Sequence, residues 1–192
     1  MKPLILASTS PYRREQLQRL GIPFEGIPPE CDEDAFKNQG LELKELASTL
    51  ATEKAASLVK SHPDSIIIGG DQIAAIDGEI LSKPLSRENA YKQLDKLQGS
   101  THQLITSLSI ISGNDIYSHT EVANLTMVPL NFEQIEKYVE RDLPLYCCGS
   151  YKIEGHGISL FEKIEVDDFT SIVGMPMLFL SKTLRELGHQ IP

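Results

Sequence analysis

Apolar residues along the chain alternate between short runs and helical stripes, and the order of the two kinds sets the expected fold. Leu4 to Ala7 is a short apolar run, read as a first buried strand, and it leads through Ser-Thr-Ser-Pro into Tyr12 to Leu20, where Leu17 and Leu20 fall at helical spacing. A short strand is expected around Phe24, then a loop holding Glu30, Asp32 and Glu33, then a helix from about Glu42 to Ser61. Leu43, Leu46, Ala47, Leu50, Ala51, Leu58 and Val59 give that helix a clear apolar face. The β-branched run Ser65-Ile-Ile-Ile-Gly predicts a strand buried on both faces and ending at Gly70-Asp71. A hairpin follows, Gln72 to Ile76 against Glu79 to Leu81, because Asp77-Gly78 suits the positive φ of a tight turn.

The second half continues the alternation. Ser86 to Leu97 reads as a helix capped by Ser86; His102 to Ser112 and Asp115 to Leu130 read as two long strands joined across Gly113-Asn114; Asn131 to Arg141 returns to helix. A Gly-rich stretch, Gly149 to Gly157, precedes a final helix from about Pro176 to Leu187. The expected class is α/β with mixed α+β character: a twisted mixed sheet flanked by helices.

Length and composition narrow this further. The 192 residues suit a single domain over 1–192, and 41% hydrophobic with 23% charged residues is an ordinary globular balance with no linker-like tract. The longest apolar runs fall far short of the roughly 20 residues that span a bilayer, and the start of the chain lacks a signal peptide's apolar region. Cys31, Cys147 and Cys148 form an odd set without disulfide or zinc spacing, which points to a reducing cytoplasm. A formal charge of -9 opposes binding to a nucleic-acid backbone, while a few converging cations can still hold the phosphates of a mononucleotide.

Three features carry candidate chemistry. Ser10-Pro11 reads as an N-cap with proline at the first helical position, so backbone N–H groups cluster there, and Arg13 and Arg14 sit where the helix dipole repels cations unless an anion is present. Two solvated arginines are the other reading. Lys54 lies on the apolar face of its helix, near Ala47, Leu50 and Leu58, so its ammonium either snorkels to the surface or points into a cleft. Asp71, beside Gly69 and Gly70 at the expected strand end, is either a ligand-site carboxylate or the start of the hairpin. No Walker A pattern, dinucleotide fingerprint or H-E-x-x-H is present, and the five histidines show no ligand spacing.

Ala7-Ser-Thr-Ser-Pro-Tyr-Arg-Arg14, Asp32-Glu33, Glu53-Lys-Ala55, Gly70-Asp-Gln72, Lys83-Pro84 and Gly174-Met-Pro176, taken in order across almost the whole chain, resemble the Maf family of nucleoside triphosphate pyrophosphatases. The resemblance implies a Maf/inosine triphosphatase-like fold with a cleft between two lobes. It also implies that Ser8, Arg13, Arg14, Lys54 and Lys83 bind the triphosphate, that Asp71 is the general base, and that Glu33 with Asp32 helps hold a divalent cation, Mg, Mn or Co. At the positions where subfamilies differ, Tyr12, Gln72 and Glu154 resemble the 7-methyl-GTP branch, with Tyr12 standing where Trp is expected. An aromatic face suits the positive charge of 7-methylguanine, and a carboxylate suits its N1 and N2 hydrogens. The implied partner is a small nucleotide, with no nucleic acid or membrane, and a homodimer is compatible with it. A dTTP/UTP pyrophosphatase and a non-catalytic nucleotide-binding regulator of cell division are the alternatives.

Overall fold

The computed structural model describes residues 2–191. β1 (Leu4–Ala7) is buried at all four positions and pairs in parallel with both β2 (Glu25–Ile27) and β3 (Ile66–Ile76). Between them run α1 (Pro11–Gln18), α2 (Glu33–Lys37) and α3 (Leu43–Ala56). β4 (Glu79–Leu81) turns back antiparallel on β3, with Asp77 and Gly78 both at positive φ, 50° and 80°. There follow α4 (Arg87–Leu97), β5 (Thr101–Ser112), β6 (Asp115–Met127), α5 (Phe132–Asp142), two 3-10 turns, β7 (Phe161–Glu165), α6 (Thr170–Val173) and α7 (Met177–Glu186). The sheet is seven-stranded and mixed, ordered β2-β1-β3-β5-β6-β7 with β4 also on β3, so the expected mixed α/β class holds.

The chain divides into two compact units. The first comprises residues 1–71, 106–121 and 168–192, and the second residues 72–105 and 122–167. In the first unit the strands carry an apolar layer on each face. Leu4, Leu6, Ile66 and Ile68 pack with Leu17 of α1 and with Leu180 and Leu184 of α7. The alternate residues Ile5, Ala7 and Ile67 pack with Ala55 of α3 and the nearby Leu58. Burying each such Leu or Ile contributes about 1.5–3 kcal/mol, which is what holds the three helices to the strands.

In the second unit α4 and α5 are joined through Glu140, which accepts from Tyr91 Oη at 2.7 Å and from Arg87 Nε at 2.8 Å. His102, Tyr151 and Phe161 form an aromatic cluster there, with His102 Nε2 and Tyr151 Oη 3.0 Å apart. Burial pushes His102 down to about 4 and raises the Tyr151 phenol, so both rings are neutral at pH 7.

Three local expectations need correction. β3 does not end at Gly70-Asp71 but runs unbroken to Ile76. The glycine there serves close approach: a Cβ at Gly69 would lie 2.2 Å from the Ala51 carbonyl and 2.6 Å from the Ala55 nitrogen of α3. The stretch after Cys31 is helical from Glu33, capped by Asp32, whose Oδ1 accepts from Ala35 N at 3.3 Å. Lastly β7 and the short α6 occupy the stretch between Gly157 and Pro176, for which no element is expected.

Candidate active site

The first unit gathers most of the candidate residues, and its strand register explains how. Asp71 shares a face of β3 with Ile67 and Gly69, the face covered by α3, while Gly70 shares the opposite face with Ile66 and Ile68. β1 accompanies β3 only as far as the pair Ala7 and Gly69. Asp71 therefore lies just past the end of its parallel neighbour, where the chain leaves β1 and turns through Ser8.

On the α3 face Lys54 is 7% exposed, and its ammonium has two carboxylate partners. Lys54 Nζ donates to Asp71 Oδ1 at 2.7 Å and lies 2.7 Å from Glu33 Oε1. The Lys54 side chain therefore does not snorkel to the surface. Asp71 is buried and Glu33 is half-buried, at the first position of α2. One ammonium shared by two carboxylates leaves an excess of negative charge, and the neighbours register it. The Cys31 thiol is pushed up by burial, assisted by Glu33, Glu53 and Asp71 and opposed by Lys54, so it stays protonated. Burial works to lower Lys37, but its hydrogen bond to Asp34 and the fields of Glu33 and Asp71 outweigh burial and hold it above the usual lysine range.

On the opposite face Ser10 caps α1, its Oγ accepting from Arg13 N at 3.4 Å, with Pro11 at the first helical position. Ser8 is buried, and its Oγ accepts from Ser10 N at 3.1 Å and from Arg13 Nη1 at 3.5 Å. Arg13 Nε donates to the Gly174 carbonyl at 3.0 Å, and a Cβ on Gly70 would lie 3.2 Å from that same Nε. The Arg13 guanidinium thus lies against the backbone of the residue before Asp71. Gly174 has φ of 131°, a conformation only glycine adopts readily, and this aims its carbonyl at Arg13.

The remaining candidates separate. Arg14 is exposed and turns toward β2, its guanidinium 6.0 Å from the Phe24 ring centre and against Gly26, where a Cβ would lie 2.2 Å from Nη2. Asp32 is exposed and caps α2. Tyr12 is half-buried in the first turn of α1. Gln72, Lys83 and Glu154 belong to the second unit: Gln72 on β3 directly after Asp71, Lys83 exposed after β4, and Glu154 exposed in the turn between the two 3-10 segments. The backbone carbonyl of Gln72 meets a partner within that unit, the Cys148 thiol, whose Sγ lies 3.9 Å away.

Sequence spacing gives no role to the Gly174 carbonyl, nor to Tyr138 and Asp142 of α5, which bind the turn around Glu154. The one local signal for the latter is the pair Gly155 and Gly157 flanking His156. Among the described residues no group of three or more His, Cys, Asp or Glu side chains is arranged to hold a metal ion, and no helix is long and apolar enough to cross a membrane.

The fold is a mixed α/β sheet protein in which one unit holds both the serine-capped start of α1 with Arg13 and the buried Lys54 between two carboxylates. The chain belongs to the Maf family: the family model described as Maf-like protein matches residues 3–187. Among curated relatives, the 7-methyl-GTP pyrophosphatase of Bdellovibrio bacteriovorus is 45% identical over 183 residues, 95% of this chain and 96% of that one. Those of Xanthomonas axonopodis pv. citri and Pseudomonas aeruginosa are 42% and 41% identical, each alignment covering 100% of both chains.

Proposed function

We propose that this protein hydrolyses 7-methyl-GTP to the nucleoside monophosphate and pyrophosphate, clearing a modified nucleotide from a reducing cytoplasm. The observation that carries the reading is the buried Lys54 held between Asp71 and Glu33 at 2.7 Å each, a costly arrangement in a family whose full-length relatives are named for this reaction. Cys31, Cys147 and Cys148, thiols outside any disulfide, agree with the compartment.

In the proposed chemistry the phosphates are bound by Ser8, Arg13, Arg14, Lys54 and Lys83, whose cations offset the charge that develops as the anhydride bond breaks. Arg13 is oriented for this by the Gly174 carbonyl and Ser8. Asp71 removes a proton from the attacking water, using the carboxylate oxygen that does not face Lys54; Lys54 fixes the carboxylate's rotation through Oδ1. Tyr12, Gln72 and Glu154 read the base.

The donor set fits a divalent cation of the Mg or Mn type. Hard carboxylate oxygens with an excess of negative charge meet at Lys54, and such ions keep waters and substrate phosphates in their remaining positions, so a complete protein cage is unnecessary. Glu33 and the preceding Asp32, which also caps α2, would hold the ion. When bound, the ion would supply charge neutralisation on the phosphates and acidify water.

Pyrophosphate release across 7-methyl-GTP, GTP, dTTP and UTP at fixed free metal tests the reading. The expected result is a kcat/KM for 7-methyl-GTP at least ~10-fold above dTTP and UTP, about the discrimination one well-placed charged hydrogen bond provides. Equal turnover of all four overturns the substrate assignment, and binding without pyrophosphate release from any of them overturns the reading of the chain as an enzyme.

A further inference from the structure

The turn that carries Glu154 is fastened to α5 at both of its ends. At its start, Tyr138 Oη accepts the Lys152 backbone N–H at 2.9 Å, and Lys152 Nζ donates to the Asp142 carbonyl at 2.6 Å. At its end, the Asp142 carboxylate holds His156 twice: Oδ2 accepts the backbone N–H at 3.0 Å and Oδ1 lies 2.7 Å from Nδ1. Tyr138 and Asp142 stand four residues apart, on one face of α5, so a single helix supplies both anchors.

The turn is also closed on itself and pressed onto its anchor. Gly155 N and Gly157 N both donate to the Lys152 carbonyl at 3.1 Å. A Cβ at Gly157 would fall 2.3 Å from that carbonyl oxygen, and one at Gly155 would fall 3.1 Å from Asp142 Oδ2. The Asp142 side chain is only 5% exposed, whereas Glu154 is exposed. An exposed polar turn ordinarily has its backbone solvated and moves freely. Here a buried carboxylate and a buried phenol, kept protonated by burial, are committed to fixing residues 152–157 around one exposed acid. Holding a short turn at this density suits a side chain whose position matters.

We propose that Tyr138 and Asp142 are positioning residues that hold Glu154 where it reads the purine edge of the substrate. The proposal rests on the base-reading role given to Glu154 above. Neither residue touches substrate; both act through the backbone of residues 152–157.

The test uses the full chain with D142A, Y138F and E154Q. It reads amide hydrogen exchange over 153–157 together with kcat and KM for 7-methyl-GTP and UTP. In D142A, exchange in the turn is expected to accelerate about tenfold or more, and KM for 7-methyl-GTP to rise about tenfold toward that of E154Q, with kcat within about twofold and KM for UTP unchanged. Y138F loosens only the start of the turn and gives a smaller shift of the same kind. D142N, which keeps an oxygen acceptor for the His156 N–H, recovers part of the loss. Unchanged exchange in both D142A and Y138F overturns the fastening. Faster exchange with an unchanged KM, while E154Q raises it, overturns the positioning role. An E154Q enzyme with the wild-type KM places the fault in the base-reading assignment, and the exchange arm still decides the fastening by itself.

Discussion

Lys54 meets two carboxylates at once, and removing it leaves both without their shared cation. Lys54→Met keeps the apolar stem but strands the buried Asp71 beside Glu33. Breaking a buried pair from one side costs about 3–5 kcal/mol, and the low end applies because Glu33 is 41% exposed and can turn to water. Urea unfolding measures this, and Lys54→Met combined with Asp71→Asn should recover part of the loss because the stranded charge is gone. A cost below ~1 kcal/mol for the single change would mean that the pair is not a buried one in solution.

Asp71→Asn separates chemistry from binding. With a neutral side chain of the same shape, kcat is expected to fall about 10²–10⁴-fold while KM stays within a few-fold, since phosphate binding is assigned elsewhere. Near-wild-type kcat would remove Asp71 from the base role. His102 gives a pH prediction at the same scale. The unfolded residue takes up its proton near 6.5 and the buried one only near about 4, so its contribution is full above pH 6.5 and disappears as pH falls to about 4. The amount is about 3 kcal/mol, since each pH unit separating the two protonation midpoints corresponds to about 1.36 kcal/mol. Unfolding free energies for wild type and His102→Gln at pH 7 and pH 4 check it; His102→Gln should lose correspondingly less on acidification, and parallel losses would contradict it.

Among the elements, the α3 and β3 contact is the one on which the site depends. Lys54 reaches Asp71 because Gly69 lets the helix backbone approach the strand, with room for no side chain at all. Gly69→Ala should destabilise by about 1–3 kcal/mol or more by thermal unfolding, since the obstruction is backbone, and should weaken metal and phosphate binding together. Gly78→Ala is the contrasting case: nothing lies within 4 Å of the added carbon, so only the positive φ of 80° matters and about 1 kcal/mol is expected. Similar costs for the two substitutions would show that α3 can move away from β3.

The same contact explains what the sequence makes legible. β1, the Asp77-Gly78 hairpin and α4 with its Ser86 cap follow from local periodicity and turn chemistry, and all appear as expected. The unbroken β3 does not, because Gly69-Gly70 reads locally as a stop, whereas its reason is a helix packed across it. β7 is short, with an irregular alternation of exposure, so period 2 is weak there. In the site, the apolar face of α3 marks Lys54 as unusual without naming its partners, because Glu33 and Asp71 reach it only through tertiary structure. The anchors of the Glu154 turn are invisible for the same reason: Asp142 lies just past Arg141, where the helix is expected to end, and its partners come from a later turn.

For the whole molecule, the family model and the relatives' alignments run across both compact units, so the proposed reaction is one for the two units together. With an overall charge of -9, the proposed affinity for a polyanionic triphosphate has to come from a few placed cations and not from a general field. Identifying the products formed from 7-methyl-GTP in ¹⁸O-labelled water decides between the pyrophosphatase reaction and its rivals. The expected products are 7-methyl-GMP and pyrophosphate in equal amounts, both formed about 10²–10⁴-fold more slowly by Asp71→Asn. Release of 7-methyl-GDP with inorganic phosphate, or no turnover by the wild type, would contradict the assignment.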